Sequence, residues 1–350
     1  MNYYLTYYEK HETHPNLTLL DVLAGVSNET KIITKTTPIT NISEPLAISK
    51  LNINCIITTW PLEKDKIKYN TFYIPKKKGG YRTINAPDAY LMQVLENYKY
   101  QIESLNVLPH DAAHAYVKNR STVTALQVHQ KNQSKWFLKL DFTDFFGSFT
   151  KERVLEQLKQ VYPFAVMLLI PQNKQNIETM IEHCLKDGVL PQGAPTSPIL
   201  TNICMVPIDF AISAYCKKAG LIYTRYADDI IISSKEPFDF KAIERAIKTK
   251  LTPEWLQINP NKTRYGSNGG RNWNLGLMLN KDNNITIGHK KKEILKATIY
   301  RALTSELTAQ EKMEIQGYIS YTRQIEPGYV NQIIRRLEQK TGQNLKSKLK

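Results

Sequence analysis

Two adjacent carboxylates, Asp228 and Asp229, stand in the run Leu221-Ile222-Tyr223-Thr224-Arg225-Tyr226-Ala227-Asp228-Asp229-Ile230-Ile231-Ile232-Ser233. Neighbouring carboxylates repel each other, and a shared divalent cation would offset the repulsion and take their oxygens as ligands. The apolar, partly β-branched runs on either side read as strands, which puts the pair at the tip of a β-hairpin. On these residues alone, a metal site and a solvated Asp-Asp turn explain the pattern equally well. A third carboxylate, Asp141, closes another strand pattern, Trp136-Phe137-Leu138-Lys139-Leu140. Asp144, three residues on, reads as a turn residue bonding its own backbone.

If the two strand patterns pair, the three carboxylates converge. That is the equipment for two divalent ions about 4 Å apart, which activate a 3′-hydroxyl and stabilise a leaving pyrophosphate. Mg²⁺ suits such a site, because it takes few carboxylates together with substrate phosphates.

Other stretches supply parts that agree with this chemistry. Tyr69 to Pro87 reads as a hairpin whose tip, Lys76-Lys77-Lys78-Gly79-Gly80, is basic and glycine-containing. Lysines there, with Arg82 beyond, are suited to phosphate oxygens, although a solvated basic turn has the same composition. Apolar spacing at Leu91, Val94, Leu95, Tyr98 and Ile102 predicts an amphipathic helix over 90–105. Lys118-Asn119-Arg120-Ser121 is a basic turn that could meet a backbone phosphate. His110, His114 and His129 show no metal-ligand spacing and read as structural or surface residues. Helices are expected at 151–161, 174–190, 199–218 (kinked at Pro207) and 241–251. The loop Pro191-Gln192-Gly193-Ala194-Pro195-Thr196-Ser197-Pro198 is too rich in proline and glycine for a regular helix. Its amides and the Gln192 side chain could line a nucleotide pocket. Ile258 to Thr263 is a turn carrying Lys262, and Trp273 to Asn280 reads as a hairpin strand. Helices follow at 290–303, 308–322 and 328–340, and the Lys-rich end is expected to fray. Over Lys281 to Lys350 there are 14 Lys/Arg against 7 Asp/Glu, which fits a module that grips a duplex. Residues 1–68 suggest a short helix at Asn16–Val26, an extended Thr34–Pro45 stretch, and no chemistry.

Composition agrees. The net charge of +15 over 350 residues points to a polyanionic partner, most often nucleic acid. The 20 tyrosines fit base stacking and ordinary packing alike. Four scattered cysteines without a CxxC argue against zinc and against a disulfide framework. No secretory leader pattern and no long apolar run is found, so a cytoplasmic protein without a membrane span is expected.

The order of motifs resembles the reverse transcriptases, over about residues 69–340. Asp141-Phe142-Thr143-Asp144-Phe145-Phe146 is similar to their first catalytic motif. Pro191 to Pro198 is similar to the proline-glutamine-glycine loop of bacterial members, and Tyr226-Ala227-Asp228-Asp229 to their catalytic hairpin. The resemblance implies an α+β, right-hand polymerase fold with fingers, an antiparallel-sheet palm and a helical thumb. The expected division is an N-terminal extension 1–68, fingers with part of the palm 69–140, palm 141–280 and thumb 281–350. It implies that Asp141, Asp228 and Asp229, helped by the Phe142 carbonyl, ligate two Mg²⁺, with Mn²⁺ as an alternative. Lys76 and Arg82 would hold the dNTP triphosphate. Phe146 falls at the steric gate, Gln192 lines the nucleotide pocket, and Lys262 is the candidate general acid. Gly276 belongs to the primer-grip hairpin, with Arg120 and Tyr226 also on the nucleic-acid side. The implied partners are a structured RNA template, the RNA/DNA duplex and a defence effector protein.

Within the family the likeness is to bacterial retron-type enzymes or related defence-associated ones, carried by Gly220 to Asp229 and His110 to Ser121. Two stretches depart from the retron pattern: Ala125-Leu126-Gln127-Val128-His129 keeps its His without the Asn, and Asn274-Leu275-Gly276 replaces Val-Thr-Gly. Competing functions stay open at this level: a group II intron-like enzyme, untemplated or protein-primed synthesis, and a non-catalytic RNA-binding scaffold.

Overall fold

The computed structural model describes residues 57–350, apart from 60, 61, 63, 77, 78 and 268–274. The expectations at Asn16–Val26 and Thr34–Pro45, Lys77 and Lys78 of the fingertip, and the start of the Trp273–Asn280 strand lie outside the described residues.

Local sequence accounts for most elements. Strands β1 (Tyr69–Pro75) and β2 (Tyr81–Pro87) pair antiparallel, with Pro75 opposite Tyr81. Helix α1 (Ala89–Ser104) starts where the Asp88 carboxylate accepts from the Leu91 N–H, and it buries the five predicted residues. A Ser121/Thr124 capping box opens α2 (Thr122–Lys131). Strand β3 (Trp136–Asp141) leads to α3 (Lys151–Leu158) and α4 (Pro171–Cys184). Helix α4 stops six residues before the expected end. Asp187 and Gly188, both at positive φ, turn the chain so that Lys186 pairs with Val189.

The helix expected over 199–218 is two helices, α5 (Thr196–Cys204) and α6 (Val206–Lys218), bent by 46°. Pro198 and Pro207 each sit in a first turn, where the missing N–H needs no partner; this moves the break to Met205 and starts α5 inside the proline-rich loop. Strands β4 (Ile222–Tyr226) and β5 (Asp229–Ser234) form the central hairpin. Helix α7 (Phe240–Ala246) runs on into a π-turn at Ile247–Leu251. Then come β6 (Arg264–Ser267), the short pair β7 (Met278–Leu279) and β8 (Ile285–Thr286), and helices α8 (His289–Thr304), α9 (Ala309–Ile325) and α10 (Pro327–Thr341). The Lys-rich end does not fray: α11 (Leu345–Lys348) forms because Leu345 and Leu349 are buried.

The described residues divide into two compact units. One comprises residues up to His110, Thr143–Ile212 and Leu251–Leu256, and so holds the β1–β2 hairpin with α1 and α3–α5. Inside it the buried Tyr98 hydroxyl bonds His183 Nδ1 at 2.8 Å. The other comprises Asp111–Phe142, Ser213–Lys250 and Gln257–Lys350. Its antiparallel sheet has strand order β4-β5-β3-β6. Phe137 and Ile231 of that sheet share a core with Leu277 and Ile287 of the β7–β8 hairpin and with Leu295 and Val330 of the helices. Among the described residues, no single helix is long and apolar enough to cross a membrane.

Candidate active site

The sheet register brings the carboxylates together. Asp141, the last residue of β3, lies opposite Asp229, the first of β5. The Phe142 N–H donates to the Asp228 carbonyl at 3.1 Å, which fastens the hairpin tip to the strand end. Between β4 and β5 only Ala227 and Asp228 turn the chain, and Ala227 takes φ 55°. A residue with a Cβ enters that left-handed region only when its surroundings impose it.

The surroundings here are polar and buried. Arg225, 1% exposed, donates from Nη1 to the Ala227 carbonyl at 3.2 Å. The Arg225 backbone is itself pinned: its N–H donates to Ala112 and its carbonyl accepts from His114. His129, fully buried, bonds Ser233 Oγ at 2.6 Å through Nδ1 and Thr224 Oγ1 at 2.8 Å through Nε2, so one ring ties β5 to β4. Burial holds the His129 imidazole down to about 3, helped by the nearby His114, and the ring is neutral in the fold.

Charge at the site is tightly balanced. Burial and the neighbouring carboxylates Asp229 and Asp141 push Asp228 up to about 6. Asp141 is also raised, mainly by burial and further by Asp229, against the pull of Lys262. Lys262 Nζ lies 2.7 Å from Asp141 Oδ1. Burial opposes the charge on Lys262, but the Asp141 bond and the three carboxylates outweigh it and raise the group. Lys139 Nζ stands 3.1 Å from Asp229 Oδ1. The turn carrying Lys262 is fixed in turn, since the Asn259 N–H donates to the Asp141 carbonyl at 2.8 Å.

Among the described residues, no three His, Cys, Asp or Glu side chains form a ready ligand cage; lysines hold Asp141 and Asp229 instead. The donor chemistry nonetheless fits hard divalent cations, being all carboxylate and carbonyl oxygen without nitrogen or sulfur. Burial is the larger part of the rise of Asp228 to about 6, and the carboxylate repulsion that adds to it is what such cations would relieve.

The other unit carries the residues expected on the nucleotide side. The Asn85 N–H of β2 donates to the Gln192 carbonyl at 2.7 Å, so the proline-rich loop lies along the hairpin that bears Arg82. Gly193 makes this possible: at φ 121° its absent Cβ would fall 2.6 Å from the Asn85 oxygen. Arg82 is exposed, and the Lys76 N–H closes the fingertip onto Gly80 at 2.9 Å. Phe146 is half-buried, edge-on to Phe145. Asp144, at φ 42°, accepts the Ser148 N–H through its backbone carbonyl.

Three placements differ from the simple expectation. Arg120 turns onto its own loop, donating to the carbonyls of Ala113 at 2.7 Å and Asp111 at 3.2 Å, so it shapes the chain beside Arg225. Tyr226 lies near Tyr321 of α9, whose hydroxyl is raised by burial and then by Tyr226. The Gly276 carbonyl is held by Lys291 Nζ at 2.6 Å. Sequence reasoning gave no role to Arg225, Lys139 or the His129 bridge. The one available signal was charge inside an otherwise apolar strand pattern.

Comparison with known proteins agrees with this geometry. Residues 74–318 match the family described as reverse transcriptase (RNA-dependent DNA polymerase). The chain belongs to the reverse transcriptases, and its fold class is the α+β, right-hand polymerase class. It is 28% identical to the Retron Ec83 reverse transcriptase of Escherichia coli, over 79% of this chain and 88% of that one. It is 30% identical to the Retron Ec73 reverse transcriptase of Escherichia coli, over 79% of this chain and 90% of that one. The protein is thus an RNA-directed DNA polymerase of the bacterial retron type. Among solved structures, a Candida albicans telomerase in complex with a fragment of telomeric RNA aligns with a TM-score of 0.47 at 12% identity, covering 81% of this chain and 56% of that one.

Proposed function

We propose that this reverse transcriptase works by two-metal transfer of dNTPs onto a primer 3′-hydroxyl, copying a structured non-coding RNA. The observation that carries the reading is the register pair Asp141–Asp229, with the Asp228 carbonyl fastened to the same strand end. Asp141, Asp228 and Asp229, with the Phe142 carbonyl, would hold two Mg²⁺, or Mn²⁺ in their place. Bound divalent cations supply a more acidic 3′-hydroxyl and neutralise charge on the departing pyrophosphate.

The chain's own groups do the remaining work. Lys262, an ammonium 2.7 Å from Asp141 Oδ1, donates a proton to the leaving pyrophosphate. The planar fork of Arg82 and the point charge of Lys76 grip the triphosphate. Gln192 lines the nucleotide pocket, and Phe146 bars a ribose 2′-hydroxyl. Gly276 and Tyr226 meet the primer strand, while Arg120 shapes the nucleic-acid side through its loop. In functional terms residues 69–140 serve as fingers, 141–280 as palm and 281–350 as thumb, behind a 1–68 extension. The basic charge of +15 supports an RNA-bound enzyme, and we extend the proposal to a cytoplasmic protein that acts with an effector protein in anti-phage defence.

Purified chain with dNTPs, Mg²⁺ and a primed RNA template is expected to make DNA. Asp228→Ala is expected to lower the rate roughly a thousandfold or more, the loss of several kcal/mol of transition-state stabilisation. Equal product from wild type and variant would overturn the assignment. Sequencing co-purifying nucleic acid identifies the template, and a 2′-5′ branch joining RNA to DNA is the expected retron product.

A further inference from the structure

The first turn of α8 is chemically unusual. Lys290, Lys291 and Lys292 place positive charge where the helix dipole favours negative charge. The N-cap, Gly288, offers no side-chain acceptor. Two of these lysines are turned inward as tethers. Lys291 Nζ donates to the Gly276 carbonyl at 2.6 Å. Lys292 Nζ pairs with Glu326 Oε1 at 2.6 Å and lies 4.6 Å from the centre of the Tyr329 ring.

The second oxygen of Glu326, Oε2, accepts from the Ile287 N–H at 2.9 Å and from the Thr286 hydroxyl at 2.8 Å. Thr286 Oγ1 in turn accepts the Gly288 N–H at 3.0 Å. The hydroxyls of Tyr318 on α9 and Tyr329 on α10 reach the carbonyls of Lys291 and Lys292. Glu326 closes α9 and opens α10, so one carboxylate joins three helices to the β7–β8 hairpin. The far end of that hairpin is held by reciprocal amide bonds between Gln130 and Asn283, at 2.7 and 2.8 Å. With two residues in each strand, the hairpin has too little ladder of its own to fix its angle.

We propose that Glu326, with Lys292 and Lys291, is a positioning latch. It fixes the Leu275–Ile287 hairpin against α8–α10 and thereby sets how firmly the primer–template duplex is held, without touching the reacting atoms. The inference rests on reading that hairpin as the primer-side element.

The test uses the full chain carrying Glu326→Gln, Glu326→Ala, Lys292→Met or the Gln/Met double change. The readouts are KM for a primed RNA, kcat for the first nucleotide at saturation, and product length under a heparin trap. Glu326→Ala is expected to raise the primer–template KM roughly tenfold, a usual scale of coupling between sites, and to shorten products. Its kcat at saturation is expected to stay within about twofold, the sign of lost binding rather than lost chemistry. Glu326→Gln keeps an acceptor for Ile287 and Thr286 but loses the charge, and should fall between. The double variant should cost less than the product of the single effects, because the two residues share one pair. If Glu326→Ala does not fold, the Gln/Met cycle carries the test.

Wild-type KM and product length in the Glu326 and Lys292 variants would overturn the latch. Photocrosslinking of the primer strand to the Leu275–Ile287 hairpin separates the two readings. If the crosslink forms while the Glu326 and Lys292 variants keep the wild-type KM, the primer-side reading stands and the latch falls; if no crosslink forms and no variant moves KM, both fall.

Discussion

Gly193→Ala tests whether the proline-rich loop is built against the fingers hairpin as closely as the structure has it. The glycine sits at φ 121°, and a Cβ there would meet the Asn85 oxygen at 2.6 Å and its carbon and Ile84 Cγ2 at 3.0 Å. Holding alanine at such a φ costs about 1–3 kcal/mol. Relief of the contact requires Asn85 to retreat, which breaks its 2.7 Å bond to the Gln192 carbonyl, at about 1 kcal/mol. The expected loss is therefore about 2–4 kcal/mol, or a fall in Tm of roughly 3–5 °C for a chain of this length. Gly188→Ala is the matched control: φ is 80°, but nothing lies within 4 Å of the added Cβ, so only backbone strain applies. Thermal unfolding reports the difference. Steady-state incorporation reports function, since moving Gln192 and the strand of Arg82 should raise the dNTP KM roughly tenfold and leave the primer KM unchanged. A Gly193→Ala protein no less stable than Gly188→Ala, with an unaltered dNTP KM, would refute the reasoning.

Phe146→Val should admit ribonucleotides, read as a fall of roughly tenfold or more in dNTP-over-rNTP selectivity in primer extension; unchanged selectivity would remove Phe146 from the gate. His129, whose folded value is about 3 against an ordinary 6.5, refuses protons that the unfolded chain takes up below 6.5. Its contribution is therefore complete above about 6.5 and is lost progressively as pH falls towards 3. Denaturant unfolding of His129→Gln should accordingly show a shallower loss of stability with acid than the wild type between those limits, and parallel curves would count against a neutral bridging imidazole.

Much of the fold was legible because period and punctuation are local. The buried face of α1, the β1–β2 and β4–β5 hairpins, and the three long C-terminal helices follow from apolar spacing and caps that one stretch of sequence contains. What escaped depended on partners far along the chain. The Asp141–Asp229 pairing is a register, and only the assembled sheet sets it. Arg225 reads as a surface residue by composition, yet the left-handed Ala227 gives its guanidinium an acceptor inside the protein. Arg120 bonds two carbonyls of its own loop, partners that its basic turn did not disclose. The ordered α11 is a case where tertiary burial moved a boundary that lysine content alone placed elsewhere.

The two lysines that hold the carboxylates explain how a repulsive cluster is kept folded and still available. Ile230 to Ile232 behind the tip are buried and offer the carboxylates no compensation. Lys139 reaches Asp229 from the neighbouring strand, and Lys262 reaches Asp141 from the turn pinned by Asn259. The Lys262 side chain is 56% exposed, whereas that of Asp141 is 8% exposed, so the ammonium can turn to water while the carboxylate stays buried. Such a one-sided pair offsets repulsion in the unliganded protein yet can yield to a stronger charge. On the proposed two-metal reading, exchanging it would leave the Asp141 oxygens available as ligands and free the Lys262 ammonium as a proton donor beside them. The rigidity of the site comes instead from behind, where Arg225 holds the Ala227 carbonyl and His129 ties the Thr224 and Ser233 side chains of the two strands through buried bonds.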